Sequence, residues 1–276
     1  MAEENCSYDC GSCEQKCGHE GAPDFSVPAN PLSNVGKVVG VVSGKGGVGK
    51  SLVTALLACA MQRRGRQCGI LDADVTGPSI PRMFGIDSLV TSNASGIIPA
   101  HSKRGIDVMS VNLLVEDKST PVIWRGPAIA SVVKQFWSDV IWSYEDFLFV
   151  DMPPGTGDVP LTVFQSLPVD GIVIVTSPQE LVSMIVEKAM RMAKEMNVPI
   201  LGIIENMSYV RCPECGKKIK LFGEGHAEET AKRYGIDFLG EIPLSPELAR
   251  LCDAGNIEYF SDPFTDKAAA KLESLK

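Results

Sequence analysis

Residues Gly44-Lys45-Gly46-Gly47-Val48-Gly49-Lys50-Ser51 spell G-x-x-x-x-G-K-S, a spacing that lets backbone N–H groups wind around phosphate oxygens. Lys50 brings a cation to the β and γ phosphates of ATP, and Ser51 a hydroxyl to Mg2+. Asp151 follows Phe147-Leu148-Phe149-Val150, and a carboxylate at the end of an apolar run can serve the same Mg2+ through water. Asp72-Ala73-Asp74 closes another apolar run. Pro153-Pro154-Gly155-Thr156-Gly157-Asp158 supplies more backbone donors, suited to sensing a γ-phosphate.

Nine cysteines form a second group of chemically capable residues. Cys212-Pro213-Glu214-Cys215-Gly216 is a knuckle, where Pro and Gly bend the chain so that two thiolates face one ion. Two thiolates complete neither a tetrahedral site nor a cubane. A second copy of the chain can supply the missing pair. Zinc accepts the same ligands, and a redox pair is a third reading, although the flanks lack the strand–helix setting of a redox motif. Cys6, Cys10, Cys13 and Cys17 follow C-x3-C-x2-C-x3-C in a segment without apolar periodicity, enough for one [4Fe–4S] cluster or one Zn2+. Cys59, Cys68 and Cys252 stand singly in apolar segments and read as small buried hydrophobes. His19, His101 and His226 are scattered and read as structural or solvent-facing.

The elements that must position these groups are legible as short apolar runs. Val38 to Val42 is a β-branched run suited to a strand buried on both faces. Further strands are expected at Gln67 to Leu71, Ile106 to Val111, Phe147 to Val150, Gly171 to Thr176, Ile200 to Ile204 and Phe238 to Ile242. Helices are expected after the glycine-rich loop, over Ile129 to Phe136, and over Leu181 to Met196, where Leu181, Ile185, Ala189, Met192 and Met196 share a stripe. Buried strands alternating with helices predict an α/β fold with a doubly wound, mostly parallel sheet of the P-loop NTPase type. Ligands of such sheets bind beyond the carboxyl ends of the strands. Residues 1–33 are expected to form a cysteine-rich metal-binding tail and residues 34–276 the P-loop ATPase domain.

The net charge of −8 gives no electrostatic grip on nucleic acid or anionic lipid, so neither is expected as a partner. No apolar run reaches the ~18 residues that span a bilayer, and the start of the chain has no signal-peptide pattern. A cytosolic protein is expected.

Lys45 is not required by a phosphate cradle. With it, the loop resembles the deviant Walker A class, which includes the ParA, MinD and Mrp proteins and the nitrogenase iron protein. Asp72 to Pro81, Asp151 to Asp158, Glu205-Asn206-Met207 with the knuckle, and Gly240-Glu241-Ile242-Pro243-Leu244 extend the similarity to the Mrp-type iron–sulfur cluster carrier ATPases. The resemblance runs from residue 37 to residue 255. It implies that Lys45 crosses a homodimer interface to the partner's nucleotide and that Asp74 orients the attacking water, with Asp72 supporting the loop or the metal shell. It implies that Asn206 reads the adenine edge, for which its paired donor and acceptor suit it, although an Asn at a strand end is also an ordinary turn residue. Lys45, Lys50, Asp74 and Asp151 are then the catalytic set. The resemblance further implies a [4Fe–4S] cluster bridging two subunits through Cys212 and Cys215, slow ATP hydrolysis, and transfer of the cluster to apo iron–sulfur proteins. The four tail cysteines depart from the wider spacing of the eukaryotic scaffolds. The alternative is a zinc-stapled regulatory ATPase of the MinD or ParA kind. A nitrogenase-like electron donor lacks its cluster cysteine, since Asp151 to Gln179 contains none.

Overall fold

The computed structural model describes residues 25–75, 77–115, 126–155, 157–178, 182–261 and 263–275. The tail cysteines Cys6, Cys10, Cys13 and Cys17 lie outside them. The chain opens with β1 (Val35–Ser43), α1 (Lys50–Arg63), β2 (Cys68–Asp72) and the short α2 (Ile80–Phe84). A hairpin of β3 (Thr91–Asn93) and β4 (Gly96–Ile98) precedes β5 (Ala100–His101) and β6 (Asp107–Met109). Next come α3 (Gly126–Ser138), β7 (Glu145–Asp151), α4 (Asp158–Ser166), β8 (Gly171–Thr176), α5 (Val182–Glu195) and β9 (Ile200–Asn206). A second hairpin, β10 (Val210–Arg211) with β11 (Lys218–Ile219), leads to α6 (Ala227–Tyr234), β12 (Phe238–Ile242), α7 (Pro246–Asp253) and α8 (Asp266–Glu273).

Eight strands form one sheet in the order β12-β9-β8-β1-β7-β2-β6-β5. All neighbours are parallel except β5 with β6. Strand alternation divides β1: Val39 and Val41 face one core, Val38 and Val42 the other. The first core holds α1, α2, α7 and α8, the second α3 to α6. Nine consecutive residues of α1, Val53 to Met61, are buried, because the helix has the sheet on one side and α2 and α8 on the other. Complete burial of one Val or Leu contributes about 1.5–3 kcal/mol, so a double-sided sheet of this size is held mainly by these cores. In α5, Val182, Ile185, Val186, Ala189, Met192 and Ala193 form the buried stripe.

Two expectations are adjusted. The strand read over Ile106 to Val111 ends at Met109. Ser110 turns its hydroxyl to Asp72 (3.1 Å), and its carbonyl accepts from Leu113 N (3.0 Å) to start a one-turn 3-10 helix. Part of the segment expected as a coreless tail is fastened to the sheet domain. Val27 N donates to the Ser166 carbonyl (2.9 Å) and its own carbonyl accepts from the Trp137 indole (2.8 Å), while Asn30 Nδ2 donates to the Ser95 carbonyl (2.9 Å). A buried indole N–H needs a partner, and this strap supplies it.

Candidate nucleotide site and cysteine hairpin

β7 and β2 end level with each other, Asp151 opposite Asp72, and β1 runs two residues past Val41, the partner of Asp151, to Ser43. The glycine-rich loop, Asp72 to Asp74 and Asp151 therefore converge at one carboxyl edge, beside the strand from which the connections run both ways. Gly47 and Gly49 have φ of 83° and 78°, a left-handed conformation that side-chain-bearing residues avoid. α1 begins at Lys50 with no side-chain cap, which leaves its first N–H groups for an anion.

Lys50 Nζ lies 2.7 Å from Asp151 Oδ1 and 3.6 Å from Asp74 Oδ2, with Lys50 only 5% and Asp151 0% exposed. Thr54 Oγ1 is 2.9 Å from the same Asp151 oxygen and 3.1 Å from the Lys50 carbonyl. Asp151 Oδ2 is buried without a hydrogen-bond partner. A buried orphan acceptor beside the Ser51 end of the loop suits a hard cation or its water, so the donor set fits Mg2+. Asp72 accepts from Asp74 N (3.2 Å) and from Ser110 Oγ (3.1 Å). Burial, with the charge of Asp151 adding, holds its carboxyl well above the usual range, against the opposing pull of Lys50 and Ser110. Asp72 thus braces the Asp74 backbone, while Asp74 and Asp151 face Lys50.

Gly155 N donates to the Ser43 carbonyl (2.9 Å), and Pro154 lies against Gly46, so the 153–155 turn rests on the phosphate loop. Thr156 and the Asp158 side chain lie outside what is described. Lys45 is exposed on the loop, and its carbonyl accepts from Ser43 Oγ (3.0 Å). Asn206, 1% exposed, donates from Nδ2 to the Val48 carbonyl (2.8 Å), and its Oδ1 is buried without a partner. The Val48 carbonyl can only accept, which fixes the amide with its oxygen pointing away.

Cys212 and Cys215 lie at the tip of the β10–β11 hairpin. Cys212 N donates to the Lys217 carbonyl and Gly216 N to the Cys212 carbonyl (both 2.9 Å), with Gly216 at φ 70°. The backbone N–H groups of Cys215 and Glu214, then the Cys215 thiol, hold the Cys212 thiol below its usual range. Among the described residues no group of three or more His, Cys, Asp or Glu could hold a metal ion. The hairpin therefore presents a pair of thiols and no third ligand of its own. Cys59 and Cys68 are buried and Cys252 half-buried, as expected of inert thiols. Burial pushes Cys59 up to about 12 and Cys252 up to about 11. His101 pairs with Asp107, and His226 lies near Glu229.

Thr54 and Ser110 were not anticipated as parts of the site, nor Glu205 as a residue that fastens the hairpin outside it. Thr54 stands one helical turn after Lys50, a spacing that could have exposed it. Glu205 is a lone charge closing an apolar strand, an arrangement seldom left unpaired.

The family model of the NUBPL iron-transfer P-loop NTPases, within the ParA group, matches residues 34–275. The chain belongs to this family. An iron-sulfur cluster carrier protein of Clostridium perfringens is 44% identical over 267 residues, 91% of this chain and 94% of that protein. One from Methanocaldococcus jannaschii is 44% identical over 262 residues, 92% of this chain and 90% of the other. Among solved structures, a nucleotide-binding protein from Archaeoglobus fulgidus in complex with ADP has 45% identity and a TM-score of 0.76, covering 83% of this chain and 90% of that one. The cell division ATPase MinD of Pyrococcus furiosus, at 20% identity and a TM-score of 0.58, covering 87% of this chain and 100% of that one, shares the fold. The deviant Walker A resemblance is thus borne out at the level of family, and members of the NUBPL iron-transfer family are P-loop NTPases. No helix among the described residues is long and apolar enough to cross a membrane.

Proposed function

We propose that this chain is a cytosolic, ATP-hydrolysing iron–sulfur cluster carrier that works as a homodimer and passes a [4Fe–4S] cluster to apo-proteins. The observation that carries the reading is the incomplete ligand pair, Cys212 and Cys215, on an exposed hairpin rooted in the strand end that touches the phosphate loop. Two copies supply four thiolates, the number a cubane takes. The overall negative charge makes nucleic acid and anionic membranes poor partners.

In this reading Lys50 exchanges Asp151 for the β and γ phosphates. Ser51 and Asp151 would hold Mg2+, which would supply charge to screen the phosphates. Asp74, freed from Lys50, orients a water whose oxygen attacks the γ-phosphorus; the bond to the ADP oxygen breaks, and the water's proton passes to the released phosphate or to Asp74. Asn206 Oδ1 accepts from the adenine amine. Lys45 reaches the partner's nucleotide, where one positioned donor contributes about 3 kcal/mol to such a transition state. Residues 1–33 add a second, thiol-rich site through Cys6, Cys10, Cys13 and Cys17.

Anaerobic purification with iron, sulfide and zinc quantified, and mass measured in solution with ATP, tests the proposal. One cluster per two chains is expected, lost in Cys212→Ala and retained in Cys6→Ala apart from any tail cluster. Stoichiometric zinc with no iron after reconstitution would overturn the carrier and favour a zinc-stapled regulatory ATPase. A chain that stays single with ATP and metal both supplied would remove the bridging cluster.

A further inference from the structure

We propose that Glu205 and Asn206, consecutive residues at the end of β9, are the mechanical link between the phosphate loop and the cysteine hairpin. Successive strand residues point to opposite faces. Ile204 packs in the core that holds α1, and Ile203 in the core that holds α6. Asn206 accordingly reaches toward α1, and its amide holds the Val48 carbonyl at 2.8 Å. The approach is so close that a Cβ on Gly49 would stand 2.2 Å from Asn206 Nδ2.

Glu205 reaches the other way and fastens both roots of the hairpin excursion. Its Oε2 accepts from Ser208 Oγ (2.7 Å), where the excursion leaves β9. Its Oε1 accepts from Ala227 N (3.3 Å), where the excursion enters α6. Glu205 is 2% exposed, and a Cβ on Gly225 would stand 2.1 Å from its carboxylate, so only glycine lets the returning chain come this near. Between the strand end and the first root, Met207 has φ of 58°, a conformation a non-glycine residue keeps only when its surroundings hold it. Its terminal methyl lies 3.7 Å from the same Cβ position on Gly49. The root is further tied to the sheet edge through Ser208 N to the Ile242 carbonyl (3.0 Å) and Leu244 N to the Tyr209 carbonyl (2.8 Å).

A nucleotide that moves the Val48 carbonyl, or that gives the unpartnered Asn206 Oδ1 a donor, therefore acts on the dipeptide that anchors the thiol-bearing hairpin. Glu205 and Ser208 touch neither nucleotide nor cargo and are positioning residues. The link assigns a route for nucleotide control of the thiols and rests on the nucleotide-driven carrier reading.

Site-resolved alkylation of Cys212 and Cys215 in the metal-free full chain, with and without a non-hydrolysable ATP analogue and Mg2+, tests it. In the parent the analogue should change the Cys212 rate by about fivefold or more, the low end of ordinary coupling between sites. Glu205→Ala removes both acceptors, and Ser208→Ala removes one root with little steric change. In both, analogue affinity should stay within about twofold of the parent while the response falls below about twofold. Ser208→Ala decides the matter if Glu205→Ala does not fold. A full response in the folded variants overturns the link, as does an unresponsive parent. Closure of two copies over the hairpins would also shield the thiols, but that shielding does not pass through Glu205; it would survive both substitutions and count against the link. A chain that takes up no iron yet shows the Glu205-dependent response removes the carrier and leaves the link standing. Iron uptake with a response that survives Glu205→Ala does the reverse.

Discussion

Lys50 and Asp151 are 5% and 0% exposed, and each charge is met by the other; Cys215 is exposed, Cys212 is partly so, and the pair has no third ligand among the described residues. Both regions lie at the carboxyl edge of the same sheet. The difference teaches what each must do. A phosphate site gains from fixed donors and excluded water, so its charges are desolvated and paired before the nucleotide arrives. A site that takes up and releases a cargo gains from exposure, since thiolates locked in a core would be neither accessible nor ionised.

The harshest way to break the comparison is Lys50→Ala. Removing one positioned donor slows hydrolysis by about 10²–10³ fold. It also strands the Asp151 carboxylate in the core, and breaking a buried pair from one side costs about 3–5 kcal/mol. Phosphate release and denaturant unfolding should both register the change. A variant with unaltered stability would mean that the pairing of Lys50 with Asp151 adds nothing to the fold without nucleotide. Cys212→Ser is the counterpart at the hairpin. Cluster content should fall to background while unfolding shifts by no more than about 0.5 kcal/mol, as for other exposed positions. A large loss of stability in the cluster-free chain would show that the hairpin is part of the folding core.

How much of this contrast was legible beforehand follows from its physics. The phosphate loop is local: eight consecutive residues carry its geometry, and apolar runs before Asp72 and Asp151 announce carboxylates at strand ends. The doubly wound sheet was legible for the same reason, because β1, β8 and β9 are continuous apolar runs. Thr54, Ser110 and Glu205 were not, since each acts through a partner 38 to 97 residues away or through the returning end of a loop. The packing of Val27 and Asn30 was missed because polar, proline-containing sequence gives no periodicity. The indole of Trp137 and the carbonyls of Ser95 and Ser166, all distant in sequence, define that strap. The Asn206 contact with Val48 adds a loop-bracing role to a residue the sequence offered only for adenine or a turn.

Glu145 sharpens the lesson about buried charge at the opposite edge of the sheet. It is 4% exposed, and among the described residues its Oε2 has no hydrogen-bond partner and no cation answers it as Lys50 answers Asp151. Burial pushes its carboxyl up to about 9, with Asp107, which it hydrogen-bonds, and Asp146 adding to the rise. The folded state therefore binds the proton more tightly than the unfolded chain. This contribution to stability is present in full below the unfolded value of 4.5, falls as pH climbs toward 9, and is flat above. Thermal unfolding between pH 6 and pH 10 should show the decline, and Glu145→Gln, which stays neutral, should flatten it by several degrees, at about 2–4 °C per kcal/mol for a chain near this size. An unchanged slope in the variant would place the titration elsewhere.

The smallest effect belongs to Lys218→Ala, and its smallness is informative. Lys218 carries the most evident fastening of the hairpin: its ammonium lies 2.8 Å from Glu241 and 4.1 Å from the centre of the Tyr209 ring. Hydrogen bonding to Glu241 raises its pKa, so the charge is secure at neutral pH. Yet Lys218 is 52% exposed, and an exposed pair of this kind contributes about 0–1 kcal/mol after screening and lost side-chain freedom. Lys218→Ala should shift unfolding by no more than that, leave cluster uptake within experimental scatter, and leave the nucleotide response of Cys212 intact. Glu205→Ala, which removes the buried bonds at the hairpin's roots, should abolish that response while leaving every surface pair in place. If Lys218→Ala erased the response instead, the hairpin would be governed from its exposed face, and the division between a desolvated, paired interior and a freely presented thiol pair would have to be drawn elsewhere.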